Sequence, residues 1–309
     1  MENQTVLYML VLSGLSDLPS LQLPLFLVFL LVYLMTLTGN LLIVLLICTD
    51  SHLQTPMYFF LGTLACLDMG YSSVTIPRML FDFHTQKKLI SIQACITQIF
   101  FIMFFAVSEV SLLAVMSYDR YVAICHPLHY TQIMHWKACV LLVLGVLMFS
   151  VVYTLVHVLL LLKLTFCRLN PLQSFFCDLP QLLLVSCSDT SINLLLILIL
   201  AILVAGGIFA LTFCPYIIIL NTIMKMQSKA MRSKAFSTCS SHLTVVFIFY
   251  GTAFFSYFHP NVKDHSAVDK VSSVIYTVLT PLVNPLIYSL RNEIMKTSLK
   301  RAVCRLIQT

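Results

Sequence analysis

The chain has 309 residues, 60% of them hydrophobic and only 10% charged, with a mean hydropathy of +0.96 and a formal net charge of +6. A soluble domain is about a quarter charged, so this composition cannot cover a water-facing surface of that size. It excludes a soluble protein and places the chain in a membrane.

In chain order, residues 1–22 precede the first long apolar run and contain no Lys or Arg. Asn3-Gln4-Thr5 is a glycosylation acceptor, usable only on the lumenal side. Five runs, 23–48, 138–162, 190–224, 235–262 and 271–290, contain no Asp, Glu, Lys or Arg. Two more carry one internal acid each: 56–77 with Asp68 and 94–118 with Glu109. A helical span needs about 20 residues. Backbone groups in lipid must be satisfied within the segment, and none of the seven runs alternates as a barrel strand would. The expected fold is an all-α membrane protein, a seven-transmembrane helix bundle forming one domain over 1–309, with the bundle at 23–290. In the tail, 291–309, basic residues alternate with Ile294, Met295, Leu299, Val303 and Leu306, which predicts a short amphipathic helix lying on the inner surface. The first span is expected to serve as an uncleaved signal-anchor.

Lys and Arg set the orientation. Arg120, Lys137, Lys225, Lys229, Arg232, Lys234, Arg291, Lys296, Lys300, Arg301 and Arg305 fall on one side, eleven against the remaining seven. The side with more basic charge is inside, so the amino terminus lies outside. Cys95, Cys167, Cys177 and Cys187 then fall in or beside outward segments, where disulfides persist; four cysteines allow three pairings. Three of them sit in the stretch 163–190, too long for an unstapled connection.

Three charged features stand out against this apolar background. Asp119-Arg120 closes the third span, where Arg120 can reach water; deeper in the bilayer it would cost about 2.5–3.5 kcal/mol. Asp68 and Glu109 are intramembrane acids, functional-site candidates that either bind a cation together or share a proton. His126, His129 and His135 lack a companion ligand set and read as surface histidines. No catalytic triad, phosphate loop or nucleotide motif is evident, so neither an enzyme nor a nucleic-acid partner is expected.

Five motifs lie in order along the spans. Gly39-Asn40 is in the first, LQTPMYFFL (53–61) opens the second, and MSYDRYVAICHPLHY (116–130) closes the third. KAFSTCSSHL (234–243) enters the sixth, and PLVNPLIYSLRN (281–292) ends the seventh. With these the chain resembles a rhodopsin-like (class A) G-protein-coupled receptor, and within that class an odorant (olfactory) receptor of the tetrapod-type branch, almost end to end. Ser117 and Pro215 depart from the family pattern. A proline at 215 removes a donor and is expected to bend the fifth span near Tyr216.

The resemblance implies residue roles. Arg120 is held by Asp119 at rest, next to Tyr121, and turns toward Tyr216 and a docked heterotrimeric G protein of the stimulatory, olfactory type. Asn284-Pro285 loosens the seventh span so that Tyr288 can swing inward. Asp68, Glu109, Asn40 and Asn284 resemble the family's mid-membrane sodium pocket; no other cofactor is implied. The implied disulfides are Cys95–Cys177 and Cys167–Cys187. Positions that align with the outer ligand pocket are Ile102, Met103, Ala106, Val107, Leu200, Val204, Tyr250, Ala253, Tyr257 and Thr277. Such a lining suits a small, uncharged, mostly apolar odorant with one polar group. A plasma-membrane location, in sensory cilia, goes with the family. The alternatives are the same receptor sensing a metabolite outside the nose, or a transporter, although no repeat of the kind transporters show is visible.

Overall fold

The computed structural model of the chain describes residues 9–15, 18–85, 88–167, 171–258, 270–271, 273–291 and 293–308. Four long helices come first: α1 (Pro19–Thr49), α2 (Pro56–Thr85), α3 (Ile92–Cys125) and, after a one-turn α4 (Tyr130–Ile133), α5 (Trp136–Leu161). A short α6 (Leu179–Leu184) lies in the long connection that follows. The fifth span is α7 (Ser191–Leu200), a π-helical turn (Ala201–Ala205) and α8 (Gly206–Lys225). The sixth is α9 (Lys229–Phe258). The seventh is a second π turn (Ile275–Leu279) running into α10 (Thr280–Arg291), and α11 (Glu293–Gln308) follows. The helices overrun the apolar stretches at several ends. α2 continues eight residues beyond 77, and α9 starts six before 235, because a helix needs no lipid once nucleated.

α5 explains why these rods need a membrane. Cys139, Val143, Val146, Ser150, Thr154, Val158 and Leu161 recur at helical spacing and are buried against the bundle. On the opposite face Leu141, Leu144, Met148, Val152, Leu155 and Leu159 recur at the same spacing and are exposed. A helix that is apolar on both faces is either a core helix or a membrane span. With one face left uncovered, lipid is the remaining partner.

The third span is central: it packs on the second, fourth, fifth and sixth. Its entry is set by Ser91, in extended conformation, whose hydroxyl accepts the Ala94 N–H at 3.2 Å. The second and third spans approach closely at Gly70, where an added Cβ would run into the Phe105 ring and force it to move.

The end bearing the amino terminus, called outer below, carries structure that an all-α reading did not anticipate. Strand β1 (Met9–Val11) pairs antiparallel with β2 (Leu89–Ser91), and Leu12 bridges to Leu172 of the long connection. Alternation explains it: Leu10 and Leu12 are each 1% exposed, whereas Met9 and Val11 point outward. Lys270 donates to the Gly14 carbonyl at 2.7 Å, tying this strap to the seventh span. At the other end, α11 has apolar Met295 buried, Leu299 half-buried and Lys300 and Arg301 exposed.

Pro215 does not end its helix: α8 runs through it to Lys225. The fifth span also carries a π turn at Ala201–Ala205, ten residues earlier.

Candidate functional site

The switch residues are organised around α3. Arg120 Nη2 donates to Asp119 Oδ2 at 3.1 Å; the Asp119 side chain is fully buried and that of Arg120 is 13% exposed. Tyr130, on α4, donates to the other carboxylate oxygen at 2.8 Å. Asp119 therefore holds Arg120 with one oxygen and the loop helix with the other. Arg120 Nε is buried with no described protein partner. The Tyr121 hydroxyl pairs with His126 Nε2 at 3.0 Å. Among the described residues no group of three or more His, Cys, Asp or Glu is placed to hold a metal.

Tyr216 lies within electrostatic reach of Arg120 but has no described hydrogen bond to it. Its hydroxyl is hydrogen-bonded to His242 Nδ1 of the sixth span, and the two rings stack. Both side chains are buried, within a cluster where Ile219 and Ile223 meet Cys239 and Tyr121. His242 was given no role from the sequence, although a lone histidine within the uncharged stretch 235–258 was available as a signal. Tyr288 lies in α10, but its side chain falls outside the described residues.

The mid-membrane polar group is brought together from four spans. Asn284 Nδ2 donates to both oxygens of Asp68, at 3.0 and 3.1 Å. Asn40 Nδ2 donates to the Thr36 and Pro281 carbonyls at 3.0 and 3.1 Å. Asp68 and Glu109 are 1% and 3% exposed and interact electrostatically. Glu109 Oε1 and Asn40 Oδ1 are buried oxygens with no described protein partner. Such a donor set, oxygen only and carrying two carboxyls, suits a hard cation.

In the outer half the described members of the aligned set pack into more than one cluster. Ile102 packs with Phe29, Ile76, Met79 and Val278 on the side of the first, second and seventh spans. Met103 packs with Ile99, Val158 and Leu182, toward the fourth span and the long connection. Ala106 and Val107 are half-buried one turn further in. Leu200 ends α7 and Val204 sits in the first π turn, both half-buried. Thr277, fully buried, sits in the second π turn, where its hydroxyl donates to the Ser273 carbonyl at 2.6 Å. Both π turns thus fall at the aligned positions of the fifth and seventh spans, and such turns are frequent at functional sites. Tyr250 reaches Thr212 Oγ1 at 3.3 Å and packs edge-on to Phe209 and Phe213, ring centroids 5.3 and 5.6 Å away. Phe209 and Phe213 were not singled out in the sequence. The side chains of Ala253 and Tyr257 lie outside the described residues, as does Asn3.

Over this region the long connection is fixed covalently. Cys95 is bonded to Cys177, Cα atoms 5.4 Å apart, and Cys167 to Cys187, 5.9 Å apart. Gln98 strengthens the first staple: its amide oxygen accepts the Cys177 N–H at 3.0 Å and its amide nitrogen donates to the Val74 carbonyl at 3.2 Å. Asp178 caps α6 by accepting the Leu179 N–H at 2.9 Å, and burial pushes its carboxyl up to about 6.

Known proteins carry the same plan. A family described as olfactory receptor matches residues 29–306. Mouse olfactory receptor 1M1 is 46% identical over 308 residues, covering 100% of this chain and 98% of its own. Human olfactory receptor 5B12 is 46% identical over 305 residues, covering 98% and 96%. Squid rhodopsin has the same fold, with a TM-score of 0.73 at 17% identity over 96% of this chain and 91% of that one. With its seven-span bundle, its Asp119-Arg120 ion pair and relatives that match it over almost their whole length, this multi-pass membrane protein belongs to the olfactory receptor family.

Proposed function

We propose that the chain is an odorant receptor of the plasma membrane, amino terminus outside. It binds a small, mostly apolar volatile in the outer half of the bundle and activates a stimulatory, olfactory-type G protein that raises cAMP. The observation that carries this reading is the closed lock at the inner end. Arg120 is held by Asp119, Asp119 by Tyr130, and Tyr216 by His242. Every one of these contacts is a hydrogen bond or ion pair that rearranges without breaking a covalent link, as a bistable switch requires.

In this mechanism the ligand favours a second arrangement only through tighter binding to it. Tyr250, wedged between Phe209 and Phe213 and bonded to Thr212, couples the ligand region to the fifth and sixth spans. When those spans separate at the inner end, Tyr216 leaves His242. Arg120 leaves Asp119 and presents its planar donor fork to Tyr216 and to the docked G protein. The π turns at Ala201–Ala205 and Ile275–Leu279 supply the local slack.

Asp68, Glu109, Asn40 and Asn284 would hold Na⁺, which neutralises the two carboxyls and favours the resting packing. The buried, unpartnered Glu109 and Asn40 oxygens support that reading over a single protonated acid. Replacing Na⁺ by a bulky organic cation should then raise basal signalling in the wild type and leave Glu109→Gln unmoved. An unchanged sodium response in Glu109→Gln rejects the site.

The whole reading is tested with a cAMP reporter and a panel of volatiles on surface-expressed receptor. Arg120→Ala should abolish every response while surface staining persists. Responses that survive Arg120→Ala would overturn the switch.

A further inference from the structure

Where the first span ends and α11 begins, a cavity of about 340 Å³ opens between the Ser51–Leu53 turn and α11, lined by His52, Ile294, Thr297, Ser298 and Arg301. This volume is at the lower end of the range for small-molecule sites. It lies away from both the ligand region and the Arg120 switch. Its rim carries charges of both signs. Asp50, next to the turn, caps it by accepting the His52 N–H at 3.0 Å, and its Oδ1 lies 2.9 Å from His52 Nδ1. Arg301 Nη1 reaches across from α11 to within 3.5 Å of His52 Nδ1 and 3.9 Å of Asp50 Oδ2. The rest of the Arg301 fork has no other described partner, and its side chain is 51% exposed.

We propose that this cavity is a binding site for the headgroup of an aminophospholipid, phosphatidylserine or phosphatidylethanolamine. The chemistry comes from the two signs. A guanidinium fork takes a phosphate through paired charge-assisted hydrogen bonds. Asp50, a carboxylate at neutral pH, takes the primary ammonium of the same headgroup. An isolated phosphate would use only half of this set and would meet Asp50 as a like charge. Depth fits a lipid as well. The cavity is one turn past the last residue of the first span, at the level where hydrocarbon gives way to headgroups. Leu41, Leu42 and Leu45 are exposed on the inner part of that span, ready for an acyl chain. The bound headgroup would pin α11 to the first loop.

The placement on the inner leaflet rests on the orientation proposed above; the binding itself does not. Detergent-purified full-length receptor would be titrated with short-chain phosphatidylserine, phosphatidylethanolamine, phosphatidylcholine and phosphatidylglycerol, and with inorganic phosphate. Bound lipid is counted by native mass spectrometry. The two primary amines should be retained at least about tenfold better than the choline and glycerol heads, the worth of one charged hydrogen bond. Millimolar inorganic phosphate should not displace them. Arg301→Gln should lose this retention, and Asp50→Asn should erase the preference for an amine while phosphate-dependent binding persists. Should Asp50→Asn fail to fold, Arg301→Gln and Arg301→Lys, on the exposed face of α11, read the same site. Equal retention of all four heads, displacement by inorganic phosphate, or an unchanged Arg301→Gln each overturns the proposal. None of these outcomes bears on odorant signalling.

Discussion

At the outer end the bundle is closed by two disulfides, a three-residue β ladder and the strap that Lys270 ties at Gly14. At the inner end Cys125, Cys139 and Cys239 are unbonded, and the third, fifth and sixth spans meet through Asp119, Tyr130, Tyr216 and His242. The two ends differ in what it takes to open them. A native disulfide is worth about 2–5 kcal/mol to a fold; a hydrogen bond to a charged group is worth about 1.5–3 kcal/mol and re-forms elsewhere. Under the proposed function, such a build would keep the outer half in register and leave the movement to the opposite end.

Breaking the outer end should therefore cost the fold itself. Cys95→Ser or Cys177→Ser should abolish surface expression, measured by antibody staining of intact cells. Cys125→Ser, replacing a half-buried thiol whose only described hydrogen bond is to Thr222 Oγ1 at 3.4 Å by a hydroxyl of similar size, should leave expression unchanged. Equal loss in both would erase the distinction between the ends.

Breaking the inner end should instead shift a balance. Tyr130→Phe removes one of the two hydrogen bonds on Asp119 without disturbing packing. The loss of about 1.5–3 kcal/mol from the resting state should raise basal cAMP about tenfold or more at unchanged expression. His242→Phe removes the neutral partner of Tyr216, a weaker bond of about 0.5–1.5 kcal/mol, and should raise basal cAMP less. A reversal of that order would mean that Tyr216, not Asp119, carries the larger share of the lock.

The sequence made some of this legible and not the rest, for physical reasons. Spans are legible because lipid forbids charge for twenty residues at a time, and Asp68, Glu109 and Asp119-Arg120 stand out against that silence. Their partners stand out far less. Asn284 beside Asp68 came through a motif, since an amide in an apolar run carries no sign of whom it bonds. His242 and Tyr130 act through neighbours 26 and 11 residues away, which only the packing of spans brings near. The π turns left no mark: Ala201–Ala205 contains no proline, glycine or charge, and Pro215, which does carry a breaker's signature, sits within continuous helix. The β ladder escaped because three residues of alternation are too few to see.

The smallest effect separates the two ends by pH. In an unfolded chain the Asp178 carboxyl titrates near 3.9; in the capped loop burial moves it up to about 6. Between these values the folded loop holds the proton and the unfolded chain does not, so stability falls as pH rises from about 4 to about 6 and is level above. The outer loop is thus firmest in mild acid. Asp189, whose carboxyl Ser191 holds below its ordinary value, acts in the opposite sense, and only at lower pH. Asp178→Asn keeps an oxygen to accept the Leu179 N–H and carries no charge. Limited proteolysis of the purified receptor between about pH 4 and 7, across the window in which the two states differ in protonation, should show the wild-type loop becoming easier to cut as pH rises while Asp178→Asn stays constant. An identical pH profile in the two proteins would place any pH sensitivity of the loop in a group other than Asp178.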